Sequence, residues 1–365
     1  TFPKNFNKSE LRVKNFRIYL MLMKRECFRK IMLLLPFLIS LINSCTQVQS
    51  TAEKKPDEVI NQSTAENKEL VKVLDTAAYD KIMLALANGD TTGNWPVKAP
   101  YPLPGAILPF HRIVAFYGNL YSKRMGILGE IPKKQMLRKL NGEVAKWQSA
   151  DSSLPVIPAL HYIAVVAQAS AGKDGKYRTR MPSHQIDTVV NWAKEINALV
   201  FVDIQVAHST VKDEVPRLEK YLQMPNVHLG VDPEFSLKNG EKPGTIVGTF
   251  TADDINNAID YLADIVKKNN LPPKILIIHR YTRGMVRGYK NIKKVPEVQV
   301  VIDMDGWGHK SFKKDSYRRY IYKEPVQFAG FKIFYKNDTK TGAAQLYNPD
   351  ELLKFTPKPI YIQYQ

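Results

Sequence analysis

The chain has 365 residues, 44% of them hydrophobic and 24% charged, with two cysteines. Two cysteines exclude a disulfide-stapled scaffold, so the protein must stand on an apolar core, and a chain of this length can bury a large one. The formal charge is +18; nine Lys/Arg against two Asp/Glu in residues 1–44 account for +7 and leave +11 for the remainder.

The N-terminal region reads as targeting sequence. Met21, Met23 and Met32 are candidate starts, and from Met23 a basic segment, Lys24 to Lys30, leads into Ile31–Ile42, which is almost entirely apolar. This order is that of a secretory signal. The apolar run is well short of the roughly 20 residues a spanning helix needs, and Pro36 weakens a helix further. Leu41-Ile42-Asn43-Ser44-Cys45 resembles the bacterial lipobox, a small residue before a cysteine. The resemblance implies cleavage before Cys45 and a diacylglycerol with palmitate-type chains on its thiol. That would anchor the protein in the cell envelope, in the outer membrane or facing the periplasm. With Cys27 removed, the mature chain keeps Cys45 alone, as a lipid anchor requires. In an exported protein the basic charge favours anionic glycans or lipid headgroups over nucleic acid, and a plain solvated surface is the simpler account of it.

Three regions follow: 1–44 as signal peptide and upstream residues, 45–68 as lipidated cysteine and tether, and 69–365 as one domain. The tether reading rests on the polar run TQVQSTAEKKPDEVINQSTAENK, which lacks aromatics.

Within the domain, β-branched and aromatic runs alternate with helical periodicity. Strands are predicted at Arg112–Tyr117, Pro155–His161, Leu199–Gln205, Val227–Glu234, Lys274–His279, Val298–Asp303, Phe331–Tyr335 and Ile360–Tyr364. Helices are predicted at Lys133–Trp147, Ser183–Ile196, Asp213–Leu222 and Thr251–Lys268, with shorter ones over 283–293, 309–321 and 349–354. Eight apolar strands with helical crossovers predict a single (β/α)8 TIM barrel. The rival, an open doubly wound sheet, often carries a G-x-G-x-x-G first turn, and none occurs among Gly118, Gly126 and Gly129.

A barrel of this kind places its site at the C-terminal ends of its strands. Those ends carry Tyr117, His161, Asp203 with Gln205, Asp232 with Glu234, His279 with Arg280, Asp303 with Asp305, then Trp307, and Tyr335. Alternation along a strand sets Asp232 and Glu234 on one face, likewise Asp203 with Gln205 and Asp303 with Asp305. Acids gathered in one mouth raise one another's pKa, the condition for a carboxylic acid to donate a proton near neutrality. The expected catalytic set is therefore Glu234, Asp232, Asp303, Asp305 and Asp203. Tyr117, His161, Gln205, His279, Arg280, Trp307 and Tyr335 are expected to bind substrate. Each of these acids also has the plainer role of capping the next turn.

Asp232-Pro233-Glu234 resembles the D-x-E on strand four of barrel glycosidases, particularly the lysozyme-type N-acetylmuramidases. The resemblance implies glycoside hydrolysis with Glu234 as proton donor and an acid on strand six, Asp303 or Asp305. Where those enzymes carry an Asp near the end of strand one, this chain has Tyr117-Gly118. Residues 110–365 also resemble a set of exported bacterial proteins sharing the phrases VAQAS, VDIQ, GVDPE and DGWG, a likeness that brings no activity with it.

The expected partner is thus a polysaccharide or peptidoglycan, reached from the bilayer by a monomer, with no cofactor. Two alternatives remain. One is a non-catalytic glycan-binding surface lipoprotein. The other is a metal-dependent phosphodiesterase with His161, Asp203, Asp232, Glu234 and His279 on a hard cation, though no H-x-H or H-E-x-x-H motif supports it. The segment Gln168–Pro182 is expected to loop over the mouth and offer Lys173, Lys176, Arg178 and Arg180 to an anionic substrate.

Overall fold

A computed structural model describes residues 73–340 and 345–365; the segments expected to be signal peptide and tether, and Cys45, lie outside them. Among the described residues no helix is long and apolar enough to cross a membrane.

The elements in chain order are α1 (Thr76–Ala87), β1 (Arg112–Gly118), α2 (Ile127–Glu130), α3 (Lys133–Ala150), β2 (Val156–Ala167), β3 (Arg178–Arg180), α4 (Ser183–Lys194) and β4 (Leu199–Ile204). They continue with α5 (Val211–Glu214), α6 (Glu219–Leu222), β5 (Val227–Val231), β6 (Phe250–Thr251), α7 (Ala252–Asn269), β7 (Lys274–Arg280) and β8 (Val286–Arg287). Last come β9 (Val298–Met304), α8 (Lys310–Tyr317), β10 (Phe328–Ile333), α9 (Pro349–Leu352) and β11 (Tyr361–Tyr364).

Eight of the strands form a closed parallel ring in the order β1-β2-β4-β5-β7-β9-β10-β11, with β11 pairing back to β1. The chain is a (β/α)8 TIM barrel. A ninth strand, β3, pairs antiparallel to the end of β2 and lies outside the ring. The small pair β6–β8 sits apart from it.

Side-chain alternation sorts the strand residues into two sets. Val114, Phe116, Val200, Val202, Leu276, Ile278, Val300 and Ile302 pack outward against the helices. Ile113, Ala115, Ala159, Phe201, Ile275, Ile277, Val301 and Phe328 fill the interior, where Tyr79, Met83 and Leu86 of α1 join them. Helix α1 thereby closes the N-terminal end of the barrel. The longer helices hold by amphipathic packing; α7 adds a capping box, in which the Thr251 hydroxyl accepts from the Asp254 amide and the Asp254 carboxylate accepts from the Thr251 amide.

Several boundaries differ from the sequence prediction. Strand β2 runs six residues past His161, because Tyr162–Ala167 continue the apolar run and give β3 a partner. Residues 211–222 form α5, a 3-10 turn and α6 in succession, Pro216 falling in the middle. No α-helix forms over 283–293; β8 and a 3-10 turn take its place. Helix α1, capped by the Asp75 side chain, is an element the periodicity argument missed.

Candidate active site

The barrel interior changes character along its axis. Its N-terminal part is aliphatic and aromatic, whereas its C-terminal part is a buried polar layer to which nearly every strand contributes. Tyr117 on β1 stands level with His161 on β2, His279 on β7 with Asp303 on β9, and Lys332 on β10 with Gln363 on β11. Asp203 on β4 is level with Gly230 on β5, and Asp303 with Gly330 on β10. These two glycines make the layer possible. A Cβ on Gly230 would come within 2.5 Å of both Asp203 Oδ1 and His161 Nε2, and one on Gly330 within 2.7 Å of Asp303 Oδ1.

The layer is a network of charges. Asp203 Oδ1 lies 3.4 Å from His161 Nε2 and 3.6 Å from His279 Nε2, and its Oδ2 accepts from the Tyr117 hydroxyl at 3.2 Å. His279 Nδ1 faces Asp303 Oδ2 at 3.3 Å and Asp305 Oδ2 at 3.4 Å. Lys332 Nζ pairs with Asp305 at 3.0 Å and sits 3.8 Å from the centre of the Tyr117 ring. On His161, Nδ1 meets the Tyr361 hydroxyl at 2.7 Å. His161, Asp203, His279 and Asp303 are all sealed from solvent. Burial pushes Asp203 up, but the His279 charge and the close approach of both imidazoles outweigh it and hold the carboxylate far below its usual range. Burial likewise lowers His279, yet the Asp203 charge and the nearby Asp303 and Asp305 carboxylates raise it well above an ordinary histidine. His161 is lowered to about 4 by burial.

Above this layer lie Asp232, Glu234, Tyr281, Asp305 and Trp307. The structure corrects the expectation that Asp232 and Glu234 share a strand face. Strand β5 ends at Val231, Asp232 caps a 3-10 turn over Pro233–Phe235, and its Oδ1 accepts from the Glu234 amide at 3.1 Å. Proline at the first position of the turn breaks the strand. Glu234 still arrives at the mouth, beside Tyr281. Burial and the neighbouring Asp305 charge push its carboxyl up to about 7. Asp232 is raised well above its ordinary value, by burial first, and its Oδ2 accepts from Gln205 Nε2 at 3.3 Å. Trp307 is 59% exposed, an open ring at the rim.

Two residues expected to touch substrate face elsewhere. Arg280 points outward from β7 and is fully buried; its guanidinium donates to the carbonyls of Thr282 and Tyr320 and pairs with Glu324. Next to His279 in sequence, it falls on the opposite strand face. Tyr335 lies beyond the end of β10, against α3: its ring stacks on Tyr364 at 5.3 Å, its hydroxyl donates to Glu143 at 3.0 Å, and Lys139 caps the ring at 3.4 Å. In the segment after β2, Arg178 and Arg180 are both tied to Glu214, at 2.8 and 2.7 Å. Only Lys173 and Lys176 of the four expected cations have no ion pair among the described residues.

Sequence reasoning missed Lys332, Tyr281, Tyr361 and Gln363. Lys332 had a signal, a lone lysine inside the apolar strand Phe-Ala-Gly-Phe-Lys-Ile. Gly230 and Gly330 had one too, as glycines inside strands.

No family model and no curated protein matches the chain. Solved structures match it at low similarity. A sugar phosphate isomerase/epimerase from Parabacteroides distasonis is 10% identical over 74% of this chain and 90% of that one, with a TM-score of 0.32. A dihydropteroate synthase from Burkholderia cenocepacia, complexed with 7,8-dihydropteroate, is 9% identical over 73% and 91%, with a TM-score of 0.35. An endo-beta-N-acetylglucosaminidase from Cordyceps militaris is 15% identical over 79% and 85%, with a TM-score of 0.32. The barrel assignment rests on this chain's own strand order, and its chemistry must be argued from its own site.

Proposed function

We propose that the barrel mouth hydrolyses glycosidic bonds in a cell-wall or extracellular polysaccharide, in a protein held to a bacterial membrane through acylated Cys45. The observation that carries this reading is the pair Glu234 and Asp305. Glu234, half-buried and beside the Asp305 carboxylate, holds its proton up to about pH 7. Asp305 is fixed by Lys332 at 3.0 Å. One acid poised to give a proton beside one carboxylate held by a cation is the division of labour glycoside hydrolysis requires. Glu234 protonates the departing glycosidic oxygen as the C–O bond breaks; Asp305 takes the proton of the attacking water or stabilises the cationic sugar. Trp307 offers an exposed face for a sugar ring. Asp203, Asp303 and His279 act from below by fixing Asp305, and Asp232 and Gln205 by holding the turn that carries Glu234.

The test is release of reducing ends from peptidoglycan and a panel of polysaccharides by the full chain. Glu234→Gln is expected to lower turnover by about 10²–10⁴-fold while polysaccharide binding persists. No release by wild type, with binding equal in both proteins, would replace hydrolysis by glycan capture. The anchor is tested separately: Cys45→Ser should move the protein from the membrane fraction to the soluble fraction, and a variant that stays with the membrane would remove the lipid from the proposal.

A further inference from the structure

The floor of the mouth holds a group of atoms to which the glycosidase reading gives no chemical step. His161 Nε2, Asp203 Oδ1 and His279 Nε2 come from three different strands, β2, β4 and β7. One donor atom from each lies within 4.8 Å of the other two. All three atoms are buried and have no hydrogen-bond partner among the described residues. Unpaired buried polar atoms are costly, and three converging on one point call for a shared partner.

We propose that His161, Asp203 and His279 bind a divalent transition ion of the zinc class. Ligands at about 2.0–2.2 Å around a tetrahedral ion stand about 3.3–3.6 Å apart. Asp203 Oδ1 is 3.4 Å from His161 Nε2 and 3.6 Å from His279 Nε2. Two imidazoles and one carboxylate suit zinc rather than calcium or magnesium, which take oxygen ligands.

The outer contacts have the form such a site needs, since a polar group stands beside each ligand's second polar atom. The Tyr361 hydroxyl faces His161 Nδ1 at 2.7 Å, and the carboxylates of Asp303 and Asp305 face His279 Nδ1 at 3.3 and 3.4 Å. Tyr117 donates to Asp203 Oδ2 at 3.2 Å. These contacts aim both Nε2 atoms and Oδ1 at the same point. Gly230 leaves the space beside them, because a Cβ there would stand 2.5 Å from both His161 Nε2 and Asp203 Oδ1.

The experiment uses the full chain, stripped with a chelator and then loaded with zinc chloride or cobalt chloride, with no substrate present. The outcome is therefore independent of polysaccharide turnover. About one zinc per chain should remain after desalting, with a higher melting temperature than the stripped protein. Cobalt should give the intense visible absorption of a tetrahedral site, without the thiolate charge-transfer band that Cys27 or Cys45 would add. His279→Gln and His161→Gln should each weaken binding by at least about tenfold and remove the cobalt spectrum. If these variants do not fold, the wild-type stoichiometry and spectrum still decide. No retained zinc and no change in melting would overturn the proposal and leave a protonated His279 as the cation of the cluster. An octahedral or thiolate spectrum, or zinc binding unchanged in both folded variants, would also overturn it, by placing the metal elsewhere.

Discussion

Glu234 reaches the mouth on a turn, and its neighbours decide its protonation. Burial and the Asp305 charge raise its pKa; the neighbouring Tyr281 and the charges of Lys332 and His279 pull it back, and the balance stands at about 7. Two consequences follow with a definite sign. A general acid must carry its proton, so kcat/KM on polysaccharide should fall about tenfold per pH unit above that value. The folded protein also holds this proton more tightly than the unfolded chain, whose glutamate titrates near the ordinary 4.5. The group's contribution to stability is thus full below the unfolded value and is lost as pH rises towards 7. Urea denaturation of wild type and Glu234→Gln between pH 4 and 8 reads this directly. The difference between the two should change against wild type over that window and then level off; a difference independent of pH would mean that Glu234 titrates as an exposed acid.

At the scale of the element, strands β5 and β10 each give up a side chain so that a neighbour's polar group can cross the interior. Gly230→Ala should cost about 1–3 kcal/mol, because the new methyl meets Asp203 Oδ1 and His161 Nε2 at 2.5 Å and neither can retreat within the layer. Gly142→Ala is the opposite case. It lies exposed in α3 with nothing within 4 Å of an added Cβ, so it should stabilise by about 0.5–1 kcal/mol. Denaturant midpoints of the two variants check both signs; a tolerated Gly230→Ala would show that the layer is loosely held. The same elements show why the sequence was readable in part. Apolar runs such as Lys-Ile-Leu-Ile-Ile-His mark a buried strand and announce the polar residue at its exit, so the barrel and its acids were legible. Arg280 and Tyr335 were misplaced because adjacency to a site residue says nothing about strand face. Lys332 stood out as a lone lysine in an apolar strand, but nothing local says what a single polar strand residue faces, and the same holds for Tyr361 and Gln363; only the ring's register sets them beside His161 and Asp305.

For the whole molecule, everything depends on closure of the ring. Strand β11 pairs with both β1 and β10 and joins the first half of the sequence to the last. Its interior residues are Tyr361, which holds His161, and Gln363, also within reach of His161 Nδ1 at 3.0 Å. Its outward residues, Ile362 and Tyr364, belong to the main apolar core. Without it, β1 and β10 would each present an open edge, and the charged layer would meet water from the side. A chain ending at Lys358 should therefore show no cooperative unfolding transition and should lose near-ultraviolet circular dichroism while keeping helical signal. Strand β3, by contrast, lies outside the ring and pairs with β2 alone. A truncated chain that still unfolds in one sharp transition would mean that seven strands suffice to hold the interior, and the polar layer would then have to draw its order from the loops at the mouth.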